Sequence, residues 1–477
     1  MAAEKERMSA VDTAWLRMNR ATNLMMIVGV WVLDPPLDFT RFREVIAERF
    51  LLQERFRCRP VDDLISANWE SDPDFDLDSH VRPVALPAPA GKAELEALVS
   101  ELAGTALDPR RPLWQFHLVE NYEAGAAVIM RIHHCYADGI ALRGVFLSLT
   151  DPDSGPDAAG HPAPDQEGRP GALPGRALDF LGHLPIPGAA LMRTAVSEGV
   201  DLLGRIVDLA RHPDHANDLA RHAVGAAAEL LRVAALADDP PTLFKGQLGA
   251  RKQAAWSEPL PLLEVRTVAH ALGCTINDVL MATAAGALGS YLRDHGEDIT
   301  GVSIRATVPV NLREAGHDVE LGNQFGLVFL DLPIGVLDPL ERVRAVSQRM
   351  SGLKGSYQPV LMLGLMATLG LLGEPAENVA IDLLSKKATL VASNVPGPTH
   401  QLYMGGSRIV QMMFWVPQSG DIGLGVSILS YHGQVQFGLI TDHKRVADPE
   451  TIASRFELEF ESILLAVLLG PYLQRDA

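Results

Sequence analysis

The chain has 477 residues, of which 47% are hydrophobic and 21% are charged. These values are typical of a globular protein, and the length exceeds that of one ordinary core, so we expect two domains. A formal net charge of −18 argues against general nucleic-acid binding and against a general attraction to anionic membranes. The three cysteines, Cys58, Cys135 and Cys274, are too few for a disulfide framework and fit a reducing compartment.

The first part of the chain carries clear helix and strand patterns. Ser9 and Asp12 form a capping-like start for a helix over residues 9–18. Amphipathic spacing predicts further helices over residues 39–50 and from residue 95 to 102. Apolar runs predict strands at residues 24–33, 115–120 and 126–132.

The segment before the second of these strands reads Leu-Asp-Pro-Arg-Arg-Pro-Leu-Trp over residues 107–114. We expect Trp114 to anchor a loop in the core rather than to take part directly in catalysis. Arg110 and Arg111 could contact a phosphate, or they form a solvated pair.

The stretch His-His-Cys-Tyr-Ala-Asp-Gly at residues 133–139 lies between a predicted strand and a predicted helix. A neutral imidazole can take a proton from a hydroxyl near neutral pH and pass it on. Adjacent residues on a strand point to opposite faces, so His133 and His134 are not expected to share one task. Asp138 could pair with an arginine or cap the following helix. Turn chemistry with a core histidine is the alternative, and no second His/Cys cluster supports a metal site.

Residues 151–174 are rich in Pro, Gly, Asp and Ala, which indicates a linker or mobile loop at a domain boundary. Residues 175–237 are rich in Ala and Leu and predict two or three helices. Their apolar faces could cover the core or lie on a membrane surface. We therefore predict an N-terminal lobe over residues 1–150, a linker and helical connection over 151–240, and a C-terminal lobe over 241–477.

Two helices are predicted within residues 265–291, and the second begins near Thr275. Thr275 fits an N-cap, and Asp278 places a carboxylate in the positive first turn. Asn277 could present its amide to a pocket, or this whole segment serves only to start the helix.

The remaining chain predicts a strand at 302–310 followed by Asn311-Leu312-Arg313, then Gly-Asn-Gln-Phe-Gly at 322–326 and a strand at 327–332. Helices are predicted at 338–352 and 358–373, and the latter is apolar all round, so it is buried or lies against lipid or an acyl chain. Lys386 and Lys387 precede a strand at 388–392 and could meet an acidic cofactor, or they form a solvated strand start. Ser-Asn-Val-Pro-Gly-Pro at 393–398 predicts a stiff turn. Two strands, 423–429 and 434–441, and a helix over 449–468 complete the chain.

The motifs together resemble a known family. The His-His-x-x-x-Asp-Gly stretch is similar to the signature of the chloramphenicol acetyltransferase-like superfamily. Pro-Leu-Trp before it, and Asn-Asp, Gly-Asn-x-x-Gly and Ser-Asn-Val-Pro-Gly-Pro after it, occur in the order found in the bacterial wax ester synthase/acyl-CoA:diacylglycerol acyltransferase family. The resemblance departs at Ile27, where the family commonly has a histidine. It implies an α/β fold with mixed (α+β) sheets in two acetyltransferase-like lobes and a central tunnel.

The resemblance also implies roles for single residues. His134 matches the general base, which would deprotonate an acceptor hydroxyl and later protonate the CoA thiolate, with His133 supporting the site from behind. Asp138 is expected to be held by an arginine, for which Arg313 is the candidate and Arg305 the alternative. Asn277 is the candidate oxyanion donor. The other residues assigned to the site are Gly139, Trp114 and Asp278 as support and Lys386 and Lys387 for CoA.

The expected reaction is acyl transfer from acyl-CoA to diacylglycerol or a long-chain alcohol, giving triacylglycerol or a wax ester. Acyl-CoA would be a co-substrate, and neither a permanently bound cofactor nor a metal is expected. The expected location is cytoplasmic, peripheral to a membrane or to lipid droplets, without a nucleic-acid partner. Two alternatives remain, a condensation-type acyltransferase that uses another acceptor or a carrier-protein thioester, and a non-catalytic lipid-binding protein.

Overall fold

The computed structural model describes residues 5–62, 67–151, 235–313, 321–353, 356, 358–372 and 374–473. Within these ranges the helices are α1 (Ala10–Arg17), α2 (Phe39–Glu48), α3 (Lys92–Ala103), α4 (Gly139–Ser148), α5 (Leu262–Leu272), α6 (Ile276–Asp294), α7 (Pro339–Leu353), α8 (Gln358–Leu372), α9 (Glu374–Ser385) and α10 (Pro449–Leu473). The strands are β1 (Lys5–Arg7), β2 (Met26–Asp34), β3 (Cys58–Asp62), β4 (Ala67–Ser71), β5 (Val81–Val84), β6 (Trp114–Tyr122), β7 (Gly125–His133), β8 (Lys252–Trp256), β9 (Leu260–Pro261), β10 (Ile304–Asn311), β11 (Phe325–Leu332), β12 (Leu390–Pro396), β13 (Tyr403–Met404), β14 (Ser407–Trp415), β15 (Leu424–Tyr431) and β16 (Gln434–Asp442). The linker and most of the helices predicted over 175–237 lie outside the described residues.

Side-chain caps determine where the helices next to the motifs begin. The Ser9 side chain accepts a hydrogen bond from the backbone N–H of Asp12 at the start of α1. Thr275 and Asp278 form a reciprocal capping box at the start of α6. Each cap satisfies backbone donors that a helix start otherwise leaves unpaired. These predicted helix starts are confirmed.

The first lobe is built on a six-stranded sheet in the order β13-β14-β2-β7-β6-β5. Antiparallel pairing of β2 with β7 places Met26 opposite His133 and Leu33 opposite Ala126. One face of β2, through Ile27 and Trp31, packs in the main core of this lobe. A separate three-stranded sheet, β1-β4-β3, lies beside it.

The second lobe is built on a seven-stranded mixed sheet, in which β10, β12 and β15 run parallel and the other pairs are antiparallel. Alternate residues along each strand point to opposite faces. On β11, Val328 and Leu330 belong to the lobe's core, whereas Leu327 and Phe329 line a cavity on the other face. One face of this sheet is therefore a core wall and the other a cavity wall.

The segment predicted as a stiff turn at 393–398 is instead mostly strand, and that prediction was wrong. Residues Ser393 to Pro396 belong to β12 and pair in parallel with β15, with Pro396 opposite Ser430. Proline lacks a backbone donor, but it is tolerated here because β12 pairs with β10 only through Leu390 and Val391, so the described residues place no ladder partner on that side of Pro396. A Cβ on Gly397 would lie 2.2 Å from the Ser430 carbonyl oxygen, so the backbone approaches too closely for any other residue.

Long-range pairing ties the two lobes together. Strand β14 follows β12 in the chain but pairs with β2 in the first sheet. Among the described helices, none is by itself long and apolar enough to cross a membrane. Helices α5 and α6 pass that test only as a pair, and they are bent by 102°.

Candidate active site

A cavity of about 250 Å³ lies between the two lobes. Its walls come from α1, the end of the His-His motif, the open face of the second sheet, and helices α8 and α9. Most of the lining is apolar, with a few polar side chains among it. Those lining residues that are polar or charged include His134, Asp138, Arg143, Thr307, Asn311, Ser385, Ser393, Asn394 and Ser419.

The ring of His134 is held at the cavity wall by two aromatic neighbours. Its centroid lies 4.2 Å from that of Trp15 in a stacked arrangement and 5.6 Å from that of Phe325. Its Nδ1 is buried without a hydrogen-bond partner among the described residues, while the ring lines the cavity. Therefore Nε2 is the ring nitrogen that a ligand in the cavity can reach.

Burial lowers the pKa of His134 to about 4, although the nearby Asp138 carboxylate acts to raise it. Desolvation disfavours the imidazolium, so the ring is neutral at pH 7. A neutral imidazole with an accessible nitrogen can accept a proton from a hydroxyl, which is the task of a general base.

His133 does not line this cavity. Its Nδ1 accepts a hydrogen bond of 3.2 Å from the backbone N–H of Cys135, and burial lowers its pKa to about 3. The two histidines therefore have different surroundings, as their adjacent positions predict. The position of His133 is that of a residue that shapes the turn behind the site.

Asp138 holds the turn through both of its carboxylate oxygens. Oδ1 accepts from the backbone N–H groups of Ile140 and Ala141 and so caps α4. Oδ2 accepts from the Arg313 guanidinium and from the backbone N–H of Gln324. The predicted Arg313 partner is confirmed, and the alternative Arg305 instead pairs with Asp331.

A polar link on the other side of His134 was missed in the sequence. The side-chain amide of Asn323 donates to the carboxylate of Asp12 and to the backbone carbonyl of His134, both at 2.8 Å. Burial raises the pKa of Asp12 to about 6. The link joins α1, the Gly-Asn-x-x-Gly segment and the base. The capping-like Asp12 and the motif residue Asn323 were visible in the sequence, but nothing there indicated that they meet.

Asn277 does not line the cavity, so the prediction of a direct oxyanion contact needs correction. It lies at the start of α6, where its Oδ1 accepts a 2.6 Å hydrogen bond from the Nδ2 of Asn394. Asn394, on β12, does line the cavity. The physical reason is that β12 continues through the motif and places its own amide between Asn277 and the cavity.

The remaining predicted support residues are structural or lie at the cavity wall. Trp114 is fully buried and donates from Nε1 to the Phe56 carbonyl at 2.8 Å, which confirms its role as a core anchor. Asp278 serves the capping box of α6. Gly139 lines the cavity, and a Cβ added there would meet nothing within 4 Å.

The lysines predicted to bind CoA are placed elsewhere. Neither Lys386 nor Lys387 lines the cavity, and Lys387 donates to Asp238 and to the Leu236 carbonyl. A partner already matches the charge of Lys387, so the geometry does not support that assignment. In the part of the chain that the structure describes, no group of three or more His, Cys, Asp or Glu residues could hold a metal ion.

Comparison with known proteins places this chain in a family. The wax ester synthase/diacylglycerol acyltransferase catalytic domain matches residues 8–280, and the WS/DGAT C-terminal domain matches residues 321–464. These two matches cover most of the chain. The chain belongs to the wax ester synthase/diacylglycerol acyltransferase family. The resemblance drawn from the motifs, and the acyltransferase class it implies, are confirmed.

Individual relatives agree with this placement. A putative diacylglycerol O-acyltransferase of Mycobacterium tuberculosis (strain CDC 1551 / Oshkosh) is 29% identical over 97% of this chain and 91% of its own. The structure of a wax ester synthase/diacylglycerol acyltransferase from Marinobacter aquaeolei VT8 matches with a TM-score of 0.66 and 22% identity, over 97% of this chain and 100% of that one. The starter condensation domain of rhizomide synthetase, solved in complex with C8-CoA, matches with a TM-score of 0.55 and 15% identity, over 97% and 95%. The structural matches confirm the mixed α/β fold with two lobes.

Proposed function

We propose that this protein transfers the acyl group of an acyl-CoA to the hydroxyl of a lipid alcohol, with His134 as the general base. The acceptor is diacylglycerol, a long-chain alcohol, or both. The observation that carries the proposal is the imidazole of His134, held by Trp15 and Phe325, at the wall of a largely apolar cavity between the lobes. The names of its relatives support the choice of substrates.

In the proposed reaction, Nε2 of His134 takes the hydroxyl proton as the alcohol oxygen attacks the thioester carbonyl. The new C–O bond gives a tetrahedral oxyanion, which collapses with cleavage of the C–S bond. The imidazolium then returns its proton to the CoA thiolate. An acyl-enzyme is unnecessary because the thioester is already activated. The neighbouring Cys135 is unsuited as a nucleophile, since burial raises the pKa of its thiol well above the usual value.

The oxyanion requires a hydrogen-bond donor in the cavity. Asn394 fits this role because its amide lines the cavity and is fixed by Asn277. An amide nitrogen carries two donor hydrogens, so Nδ2 can donate to Asn277 and still offer one to the oxyanion. In this scheme Asn277 positions Asn394 rather than contacting the substrate.

Acyl-CoA enters as a co-substrate, and its phosphates need a cation. Arg143 is an exposed residue on α4 that lines the cavity, which makes it a better candidate than Lys386 or Lys387. A guanidinium binds phosphate well because it presents several donors in a planar fork.

We also propose a peripheral location at a membrane or lipid droplet, because the acceptors and products are insoluble in water. Four leucines of α10, Leu458, Leu465, Leu468 and Leu469, are each more than half exposed and support this location. Fractionation of lipid-accumulating cells tests it. Recovery of the whole protein in the soluble fraction would contradict it.

The reaction is tested by measuring CoA release from palmitoyl-CoA by the purified protein, with dioleoylglycerol, hexadecanol or no acceptor. We expect acceptor-dependent release, together with triacylglycerol or wax ester identified by chromatography. The ratio of the two rates ranks the acceptors. Release that no acceptor raises above background would overturn the lipid-alcohol proposal, and carrier-protein thioesters would then be the donors to try.

A further inference from the structure

A second cavity of about 90 Å³ opens beside the catalytic one, between α4, the first sheet and the ends of β12 and β15 in the second lobe. Four residues line both cavities, namely Gly139, Arg143, Val395 and Phe414, so the two spaces adjoin. Apart from Arg143, every residue lining the second cavity is apolar, glycine or proline. Its chemistry therefore differs from that of the catalytic cavity, which carries polar groups.

The gap exists because small residues face each other where a helix packs on a sheet. On β2, Ile27, Gly29 and Trp31 point to the same side and line the cavity. On α4, Gly139, Leu142 and Phe146 lie on one face at helical spacing. At Gly139 no atom lies within 4 Å of where a Cβ would stand, and at Gly29 the close neighbour of that position is the flexible end of Met130 at 3.1 Å. An empty apolar cavity destabilises a fold, since its walls lose contacts.

The direction of the cavity follows from the topology. Strand β2 pairs antiparallel with β7 and starts beside His133, so it runs away from the catalytic end. Helix α4 starts just after the motif, and the same cavity is lined by its first residue and by Phe146, two turns further on. Trp31 and Phe146 pack edge to face, with their ring centroids 5.9 Å apart. This aromatic pair lies at the end of the cavity farthest from His134.

We propose that the second cavity binds the distal part of an unbranched alkyl chain whose reactive end lies at His134, and that Trp31 and Phe146 limit the chain length. The inference rests on the proposed function, because it assigns a subsite to the same reaction. A linear chain fits a narrow apolar space between a helix and a sheet, and it can pass Gly139 because no side chain obstructs that point. Met130 and Met412 give the wall flexible side chains that adapt to a chain.

The chain could belong to the acyl-CoA or to the acceptor, and two substrate series distinguish these sources. In the first, kcat/KM is measured for octanoyl-, dodecanoyl-, palmitoyl- and arachidoyl-CoA with hexadecanol. In the second, octanol, dodecanol, hexadecanol and icosanol are compared with palmitoyl-CoA as donor. The series whose length profile responds to changes in the cavity identifies the occupant.

Two variants are designed to shift the preferred chain length of the substrate in opposite directions. Gly29→Val fills the middle of the cavity, where an added Cβ lies 3.1 Å from the flexible end of Met130. Burying one methylene of the substrate chain raises kcat/KM about fourfold. If the valine keeps two methylenes of the chain out of the cavity, the ratio of kcat/KM for palmitoyl-CoA to that for octanoyl-CoA should fall about fifteenfold. Phe146→Ala deepens the cavity and should move the optimum to longer chains. Opposite shifts cannot arise from general loss of folding.

Val30→Ala is the matched control. Val30 lies on β2 between Gly29 and Trp31, but its side chain faces the core on the other side of the sheet. The dependence of kcat/KM on chain length should therefore be the same for Val30→Ala as for the wild type. Profiles of Gly29→Val and Phe146→Ala that match the wild type in both series would overturn the inference while leaving the acyltransferase function intact.

Failure of the proposed function itself gives a different result, namely no acceptor-dependent CoA release by the wild type. The cavity is then tested by calorimetric titration of palmitoyl-CoA, octanoyl-CoA and hexadecanol into the wild type and Gly29→Val. The subsite is supported if Gly29→Val binds palmitoyl-CoA or hexadecanol more weakly than the wild type does but binds octanoyl-CoA equally well. It is overturned if the wild type and Gly29→Val bind each ligand with the same affinity.

Discussion

The surroundings of His134 keep its imidazole neutral over the whole range in which the enzyme is expected to work. Burial lowers its pKa to about 4, and a base is active when deprotonated, that is, above its pKa. We therefore predict that kcat/KM stays constant as the pH falls from about 8 to about 5 and declines only as it passes through about 4. An exposed histidine would give a decline near pH ~6.5. The measurement is a pH profile of kcat/KM for CoA release.

One neighbouring group could imitate that decline. Burial raises the pKa of Asp12 to about 6, and Asp12 is linked through Asn323 to the backbone of His134. Asp12→Asn is the control, because it removes the titration and keeps a side-chain acceptor. A decline near pH 6 that persists in Asp12→Asn would contradict the low pKa assigned to His134.

The ion pair between Asp138 and Arg313 is expected to contribute mainly to stability. Both side chains are at least nine-tenths buried, so removing the guanidinium leaves a buried carboxylate without its charge partner. Arg313→Ala should lower the free energy of unfolding by about 3–5 kcal/mol. Urea denaturation measures this loss, and the slope of the unfolding free energy against urea concentration should stay the same as in the wild type. In the Asp138→Asn variant the side chain can still cap α4 but carries no charge, so adding Arg313→Ala should lower the free energy of unfolding much less. An equal loss in both backgrounds would argue against the ion pair.

At the scale of elements, α6 and β12 are joined at the site by the hydrogen bond between Asn277 and Asn394. If Asn277 acts through Asn394, then Asn277→Ala and Asn394→Ala should each lower kcat/KM by about 10²–10³-fold, the range for loss of one oxyanion donor. The double variant should be little worse than either single one. Kinetics of the three variants measure this coupling, and fully multiplicative losses would show that the two asparagines act independently.

Local patterns in the sequence predicted most of the elements around the site. The helix starts at Ser9, Asp138 and Thr275 could be predicted because a capping side chain bonds to a backbone N–H only two or three residues further along the chain. Strands β7, β10 and β11 follow from apolar runs that the core requires. Residues 393–396 were misjudged because proline and glycine signal a turn locally, whereas pairing with β15 decides the outcome.

The site itself could be predicted only where a resemblance supplied long-range information. The pair of Asp138 and Arg313 was expected on that basis, although 174 residues lie between them in the sequence. The stacking of Trp15 on His134 and the link from Asp12 to Asn323 have no local signal, because they depend on how α1 packs against the end of β7 and against the second lobe. The same reason explains why Asn277 was expected in the cavity and lies behind Asn394 instead.

At the scale of the whole molecule, the two lobes share strands and a cavity wall. Strand β14 comes from the C-terminal half but completes the first sheet against β2, and α8 packs closely on α1. We therefore predict that the lobes unfold together. Far-ultraviolet circular dichroism and tryptophan fluorescence should give coincident urea transitions. Two separate transitions would show that the lobes are independent units joined only at the site.

The central claim is that His134 performs direct transfer of the acyl group to an alcohol. The most direct test compares acceptor-dependent CoA release from palmitoyl-CoA by the wild type and by His134→Ala, with folding of both proteins checked by circular dichroism. Loss of a general base should lower kcat by about 10²–10⁴-fold while the fold is retained. A His134→Ala variant that releases CoA and forms ester at the wild-type rate would contradict the claim.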